Sequence, residues 1–162
     1  MKVIKYEKQY FDQVAELLAL FRVHLKSFKG IVCEPDFEAS KNELDSFLHD
    51  ENYPVYICIE DNSVLGYMIL KLDGVIWVEQ IFVREDYRRK GVASLLYEKA
   101  EEINHDIKED TLFNYVHPNN DAMIGFLKSK GYTVLNLIEI RKPFKDEQNK
   151  TTIEVGEHKF DY

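Results

Sequence analysis

Apolar residues recur at helical spacing in the first part of the chain and change to strand-like runs after Pro54. Between Tyr10 and Leu25 they fall on one stripe, which predicts an amphipathic helix. A second, more polar helix is predicted after Pro35. Residues 1–6 alternate polar and apolar side chains, and this period of two predicts an N-terminal strand.

Three strands are predicted in close succession in the middle of the chain. Residues 55–59 and 64–72 flank the turn formers Asp61-Asn62-Ser63, and Asp73-Gly74 is a strong hairpin signal. The next run, Val75–Val83, is almost continuously apolar. Such a run indicates a central strand that is buried on both faces.

Helix and strand patterns alternate in the second half of the chain. The predicted elements are a helix over 92–103, a strand over 111–116, a helix over 120–130, a strand over 132–140 and a last strand between 152 and 160. Asn119 or Asn120 would cap the second of these helices, and Gly131 would end it. The whole order predicts an α/β fold of three layers around a mixed sheet.

Length and composition are typical of a soluble globular protein. The 162 residues predict one domain over 1–162, large enough to bury a core without disulfides or metals. Residues 1–6 lack the apolar core of a signal peptide, so we expect a cytoplasmic protein. Cys33 and Cys58 are isolated in the sequence, and we expect both to be buried, reduced thiols.

Acidic residues outnumber basic ones, which narrows the range of partners. The 29 acidic and 21 basic residues give a net charge of −8. Such a surface repels nucleic acid and anionic membranes and attracts small cations. We therefore expect neither nucleic acid nor a membrane as partner. Neither metal-ligand spacing nor a Ser or Cys nucleophile motif occurs in the sequence, so we expect no metal site.

A basic turn joins the apolar strand that ends at Val83 to the helix that follows. Arg88-Arg89-Lys90 adds positive charge, and Gly91 and Ala93 are small enough for an anion to approach the backbone. The first N–H groups of a helix have no intrahelical acceptor and carry a partial positive charge. The segment therefore predicts a pyrophosphate site. The alternative is a helix start with solvated basic side chains.

Two motifs resemble those of the GNAT acetyltransferases. Arg88-x-x-Gly91-x-Ala93 resembles the family's (Gln/Arg)-x-x-Gly-x-(Gly/Ala) motif, and residues 120–132 are similar to its second signature, Asn followed by an apolar helix and Gly-Phe/Tyr. The order of the predicted elements also fits over nearly the whole chain. The resemblance implies the GNAT fold, a mixed, mostly antiparallel central sheet of about seven strands flanked by helices. Acetyl-CoA would bind at its strand–turn–helix segment.

The resemblance also implies which residues contact acetyl-CoA. Backbone groups at the end of the apolar strand would contact the pantetheine arm, namely those of Ile81, Phe82 and Val83. Backbone groups of the turn and helix start would hold the pyrophosphate, namely those of Arg88, Arg89, Lys90, Gly91, Val92, Ala93 and Ser94. The side chain of Asn120 would reach the cofactor arm.

Glu79 is the candidate general base for an amine that attacks the thioester. A strand alternates its faces, so Glu79 is expected on the face shared with Ile81 and Val83. Burial there would raise its proton affinity. The pair Glu79-Gln80 is similar to the Glu-Asp pair of diamine acetyltransferases, with Gln80 in place of the Asp. The alternative is an exposed or ion-paired strand residue.

The general acid has no obvious candidate in the expected place. The family's usual tyrosine position falls on Leu127, which has no proton to donate. Tyr115, Tyr97 or an unassisted thiolate are the alternatives, and we take Tyr115 as the candidate acid. His117, before a proline at a strand end, could also face the cleft.

These observations predict an N-acetyltransferase that moves an acetyl group from acetyl-CoA to a primary amine of a small molecule or peptide. The carboxylate of Glu79 favours the enzyme. Leu127 favours the alternative, a non-catalytic acyl-CoA-binding regulatory module. A homodimer is also compatible with the sequence.

Overall fold

The computed structural model describes residues 1–146 and 151–162. They group into two compact units, Met1–Phe126 and Leu127–Tyr162. Among the described residues, no helix combines the length and apolarity needed to cross a membrane. Organisation of residues 1–162 as one domain stays a prediction.

The first unit contains a five-stranded sheet in the order β1-β2-β3-β4-β5. The strands are β1 (Lys2–Lys5), β2 (Val55–Glu60), β3 (Ser63–Asp73), β4 (Val75–Val83) and β5 (Phe113–Asn114). The first four pair antiparallel, and β5 runs parallel to β4. The helices are α1 (Phe11–Ser27), α2 (Phe37–Leu48), α3 (Val92–Asp106) and α4 (Asp121–Ser129), whose last turn enters the second unit.

Local sequence signals fix the boundaries of most of these elements. Asp36 caps α2, since its Oδ1 accepts a hydrogen bond from the Ala39 N–H at 2.9 Å. Asp61 and Asn62 take left-handed φ angles of 48° and 63° between β2 and β3, and Gly74 takes 70° between β3 and β4. The predicted helices α1 and α2 before β2 and α3 after β4 are therefore confirmed. The two predicted hairpins, β2–β3 and β3–β4, are confirmed as well.

The sheet is covered on both faces. Residues 64–70 of β3 are all buried, which requires cover above and below that strand. Tyr67 and Ile69 pack with residues of α1 and with Leu44 of α2 in one apolar cluster. Helix α3 contacts β1 to β4 but contributes nothing to that cluster, so it covers the opposite face.

The second unit corrects two predictions about strands. Residues 132–140 alternate apolar and polar side chains but form no strand, and Val134 and Leu135 are exposed. A strand needs a hydrogen-bonded neighbour, which a periodic sequence does not supply by itself. The C-terminal residues form a separate hairpin of β6 (Thr152–Val155) and β7 (His158–Asp161). The expected single sheet of about seven strands is thus a sheet of five and a hairpin of two.

Three further predictions have definite outcomes. Gly131 ends α4 as expected, because its φ of 91° lets the Tyr132 N–H bond the Leu127 carbonyl at 3.0 Å. Of the two cysteines, which are both free, Cys58 is buried but Cys33 is half-buried, so the prediction of two buried thiols is wrong for Cys33. The predicted strand over 111–116 shrinks to the two residues of β5.

Candidate functional site

The segment between β4 and α3 is a tight turn with two left-handed residues. Residues Glu85–Tyr87 form a short 3-10 turn. Arg89, which is exposed, has a φ of 59°, and Gly91 has a φ of 88°. A Cβ atom at position 91 would meet no neighbour within 4 Å, so the glycine is required by the backbone angle. Turns of this kind direct successive backbone N–H groups toward a concavity that suits an anion.

The first turn of α3 continues this donor surface. The first bond that closes a helical turn runs from the Leu95 N–H to the Gly91 carbonyl, at 3.0 Å. Gly91, the residue before the helix, has no side chain to cap it. The preceding N–H groups therefore lack an intrahelical acceptor and point along the positive end of the helix dipole. They belong to Val92, Ala93 and Ser94.

The basic side chains of the turn differ in their roles. Arg88 folds back onto the strand, where its Nε donates to the Val83 carbonyl at 3.2 Å and its guanidinium lies 5.3 Å from the centre of the Phe82 ring. Lys90 packs its ammonium 5.0 Å from the centre of the Tyr87 ring. The contribution of Arg88 to an anion site would thus come from its backbone, while its side chain fixes the end of β4.

Strands β4 and β5 pair over only two positions. Trp77 pairs with Phe113 and Val78 with Asn114. Beyond them, residues 79–83 have no strand neighbour on that side in the described part of the chain. Their outward backbone groups are therefore available to a ligand. The three residues predicted to contact pantetheine all lie in this open half of β4.

Gly66 brings β3, β4 and α3 together beside the turn. A Cβ atom at this position would lie 2.8 Å from the Phe82 carbonyl oxygen, 3.1 Å from Val92 Cγ1 and 3.2 Å from Val83 Cγ2. Such contacts are too close for any side chain. The absence of a side chain at Gly66 therefore sets the spacing between the open half of β4 and the start of α3.

Glu79 lies at a β-bulge in the strand that leads to the turn. The register shifts here, because Ile69 pairs with Gln80 and Leu70 pairs with Val78. Glu79 is therefore an extra residue in β4. A bulge bends the strand and changes the direction of nearby side chains, and bulges occur frequently beside active sites.

The bulge removes the regular alternation from which the face of Glu79 was predicted. Alternation along a regular strand would place it with Ile81 and Val83, but alternation does not continue through the extra residue. The carboxylate instead interacts electrostatically with Arg22 of α1, where it helps to raise the pKa of that guanidinium, after the larger effect of a hydrogen-bonded carboxylate, Glu43. Glu79 is half-buried, and Arg22, with which its carboxylate interacts, belongs to the layer formed by α1 and α2.

A chain of hydrogen bonds lies on the same face. The Tyr67 hydroxyl donates to Gln80 Oε1 at 3.0 Å, and Gln80 Nε2 donates to Glu43 Oε1 at 3.0 Å. Arg22 donates hydrogen bonds to both carboxylate oxygens of Glu43, and its Nε lies 3.0 Å from Oε2. Burial raises the pKa of Tyr67 well above its usual value, so its hydroxyl stays protonated and donates. Both polar atoms of the Gln80 side chain thus form hydrogen bonds within the protein.

The candidate acids differ in accessibility. Tyr115 is 64% exposed and stacks on Trp77, with ring centres 4.4 Å apart and planes 9° apart. Tyr97 is fully buried, and its hydroxyl bonds Asn114 Oδ1. Leu127, at the expected tyrosine position, is buried. Of the two tyrosines considered, Tyr115 is the one whose ring is open to solvent.

His117 belongs to an aromatic contact at the end of α1. It stacks on Phe28, with ring centres 5.3 Å apart, and His24 meets Phe28 edge-on at 4.7 Å. Asn119 Nδ2 donates to the Phe28 carbonyl at 3.1 Å, which ties the loop after β5 to the end of α1. His24 also lies 6.2 Å from Phe82 of β4.

The surroundings of His24 and His117 disfavour the charged form of both imidazoles. Burial, and then the charge of Arg88, lower the pKa of His24, although Glu85 opposes the change. Burial, and then Lys29, lower the pKa of His117. The two rings are therefore neutral at neutral pH.

Asn120 caps α4. Its Oδ1 accepts from the Met123 N–H at 3.1 Å, and its own N–H donates to the His117 carbonyl at 2.8 Å. The oxygen of the side chain predicted to reach the cofactor arm is thus engaged by the helix, and its amide nitrogen is the atom left to contact a ligand. Within the described residues, no group of three or more His, Cys, Asp or Glu could hold a metal.

Three residues of this region escaped sequence analysis. Gly66 interrupts an apolar run, and a glycine inside a strand is itself a signal of close backbone approach. Arg22 and Glu43 lie 21 positions apart on two helices, and their pairing becomes visible only when α1 and α2 pack together. No local pattern predicts a contact of that kind.

The whole chain has structural relatives. A mutant of the BH1408 protein from Bacillus halodurans superimposes with a TM-score of 0.75 at 16% identity, over 90% of this chain and 100% of that one. An aminoglycoside 6'-N-acetyltransferase from Acinetobacter haemolyticus gives 0.67 at 15%, over 90% and 100%. An aminoglycoside acetyltransferase in complex with a CoA-linked bisubstrate analogue gives 0.67 at 18%, over 88% and 98%. These likenesses show the fold.

Sequence comparison adds the family. No curated protein sequence matches the chain. The family model described as acetyltransferase (GNAT) family matches residues 17–132, which include β4, the turn and the start of α3. The match covers more than half of the 162 residues. The chain therefore belongs to the GNAT acetyltransferase family.

Proposed function

We propose that this protein transfers an acetyl group from acetyl-CoA to a primary amine of a small molecule or peptide. The observation that carries the proposal is the junction of β4 and α3. There the open half of a strand, bearing one carboxylate, leads through a left-handed turn into an uncapped helix start. A pyrophosphate suits the turn, and an extended amide-containing arm suits the open strand.

In this proposal each part of acetyl-CoA has a set of backbone partners. The pyrophosphate contacts the N–H groups of residues 88–94, and the pantetheine arm pairs with residues 81–83. The Asn120 amide nitrogen adds a side-chain contact. Family membership supports the choice of acetyl-CoA, as do the structural relatives that hold CoA or a CoA-linked analogue.

The reaction is direct attack of the amine nitrogen on the thioester carbon. The C–N bond forms and the C–S bond breaks, so a proton must leave the nitrogen and one must reach the thiolate. Glu79 is the proposed base, directly or through a water. A backbone N–H of Ile81 or Phe82 would stabilise the developing negative charge on the carbonyl oxygen.

Tyr115 is the proposed proton donor to the thiolate. Its exposed ring, beyond the last residue of β5, supports this choice over the buried Tyr97. A tyrosine hydroxyl is uncharged at neutral pH and has a proton to give.

The second candidate function is a non-catalytic acyl-CoA-binding module. The buried leucine at position 127, where the family's tyrosine is expected, favours it. The cytoplasmic location and the lack of nucleic-acid partners stay predictions in either case.

One experiment separates these functions. Wild-type protein and the Gly91→Val variant are melted with and without acetyl-CoA, and release of free CoA is followed with a panel of amines. We expect acetyl-CoA to raise the Tm of the wild type by mass action. Valine at a φ of 88° should remove that shift.

A Gly30→Val variant is the matched control, because Gly30 is also left-handed (φ 69°) with open space around it but lies after α1. A Tm shift with acetyl-CoA, but no release of free CoA in the presence of any amine, would favour the binding module. No shift at millimolar acetyl-CoA would refute both functions.

A further inference from the structure

A partly exposed aromatic surface lies at the base of the opening between β4 and β5. Trp77 stacks on Tyr115, the residue after β5, at 4.4 Å between ring centres, and it meets the tilted ring of Phe113 at 5.0 Å. We call these three residues the aromatic platform. Tyr115 is 64% exposed although its ring is large and apolar. Exposed aromatic groups of this kind often mark a binding site.

The register of the sheet places the aromatic platform on the same face as Glu79. Tyr67 and Ile69 pack toward α1 and α2, and Lys71, two residues further along β3, shares their direction. Trp77 pairs with Lys71, so its side chain projects from this face as well. Glu79 is two residues from Trp77 along β4 and interacts electrostatically with Arg22 of α1.

The charges on this face suit one cation rather than several. The Glu43 carboxylate receives the hydrogen bonds of Arg22 and of Gln80, so its charge is neutralised within the protein. Among the described residues Glu79 has no hydrogen-bond partner, which leaves its carboxylate for an ammonium group. Lys71, whose ammonium pairs with Asp73 at 3.1 Å, stands opposite Trp77. A second positive charge on an acceptor would meet Glu43 and Asp73, whose carboxylates are already paired with Arg22 and Lys71.

We propose that the acceptor is a monoamine with an aromatic body, and that its ring packs on the aromatic platform while its ammonium lies at Glu79. This inference rests on the acetyltransferase function proposed above and specifies its substrate class. A flat ring gains stacking contact with the exposed face of Tyr115, whose other face rests on Trp77, and one ammonium matches one available carboxylate. Polyamines and aminoglycosides carry further charges, for which the paired carboxylates of Glu43 and Asp73 are not available.

The test compares three acceptors with the wild-type protein. Phenethylamine has a ring and one ammonium, hexylamine has one ammonium without a ring, and spermidine has several ammonium groups without a ring. We expect kcat/KM for phenethylamine to exceed that for hexylamine by about three- to tenfold, the range of one aromatic contact. Spermidine should be the poorest of the three.

Variants of the aromatic platform locate the preference. Trp77→Leu and Tyr115→Leu should bring the phenethylamine-to-hexylamine ratio close to one, while Tyr115→Phe keeps the ring and should keep the ratio. A ratio measured within one variant cancels any change in proton transfer. Phe37→Leu, at an exposed aromatic residue that begins α2, is the matched control and should leave the ratio unchanged.

The outcomes separate the two proposals. If the wild type acetylates none of these or other amines, the acetyltransferase function fails and this inference falls with it. If the wild type acetylates hexylamine or spermidine as well as phenethylamine, only the inference is overturned. An unchanged ratio in Tyr115→Leu, at an exposed site where folding tolerates the change, also overturns it. The acetyl-CoA Tm shift shows that each variant is folded.

Discussion

Replacing Gln80 with leucine tests the buried hydrogen-bond chain on which the bulge at Glu79 rests. Leucine has about the same volume but neither donor nor acceptor. The Tyr67 hydroxyl, which is fully buried, would lose its acceptor, and Glu43 would lose one of its donors. The Arg22 contacts would remain.

The expected loss of stability follows from these two effects. An unsatisfied buried hydroxyl costs about 1–3 kcal/mol, and a lost hydrogen bond to a carboxylate about 1.5–3 kcal/mol. Glu43 is partly exposed, so water replaces part of the second contact. The apolar leucine offsets roughly 1 kcal/mol. The net loss is about 2–4 kcal/mol, equivalent to a Tm lowered by about 5–15 °C.

Urea unfolding at pH 7 measures this loss, and a double-mutant cycle assigns it. Tyr67→Phe removes the orphaned hydroxyl, so the Tyr67→Phe/Gln80→Leu pair should regain about 1–2 kcal/mol relative to Gln80→Leu alone. A loss below about 1 kcal/mol for Gln80→Leu would refute the buried chain. Strictly additive effects of the two substitutions would refute it as well.

Three further predictions concern the site. Arg88→Ala should weaken acetyl-CoA binding by less than about tenfold in calorimetry, because backbone donors supply most of the anion contact. The variant should also have a lower Tm, since the Arg88 side chain donates a hydrogen bond to the Val83 carbonyl. A hundredfold loss of affinity would contradict the proposed role of the backbone. Glu79→Gln should keep acetyl-CoA affinity and lose turnover by about 10²–10⁴-fold, less so at high pH where the amine is already neutral; unchanged turnover would remove Glu79 from the mechanism. The lowered pKa values of His24 and His117 mean that the unfolded chain binds more protons below about pH 6.5. The stability contributed by the neutral rings is therefore full above that pH and is lost as pH falls. His24→Gln should flatten this slope in urea unfolding, and an unchanged slope would exclude His24 as a cause.

Elements whose signals are local could be predicted from the sequence. The helical stripe of α1, the Asp36 cap and the turns at Asp61-Asn62 and Gly74 all lie where their residues indicate. The Gly91 turn belongs to the same group, because its φ of 88° is an angle that glycine adopts without the steric cost that a Cβ would bring. These features depend on neighbours only a few positions away.

Features that depend on distant neighbours could not be predicted. Alternation could not fix the face of Glu79, because a bulge is a property of two paired strands, and one strand's sequence does not contain it. The second unit shows the same limit, since residues 132–140 have a strand-like sequence without a ladder. The partnership of Glu43 with Gln80 likewise required the packing of α2 on the sheet.

Because Gly66 has no Cβ atom, a substitution at this buried position would also affect ligand binding at the surface. Its neighbours are the carbonyl of Phe82 and the side chains of Val83 and Val92, which belong to two different elements of the proposed cofactor site. Even alanine at this position would wedge those elements apart by some tenths of an ångström. A selection for acetyl-CoA affinity would therefore reject substitutions at Gly66, and a sequence library would score this buried residue as though it were part of the binding surface.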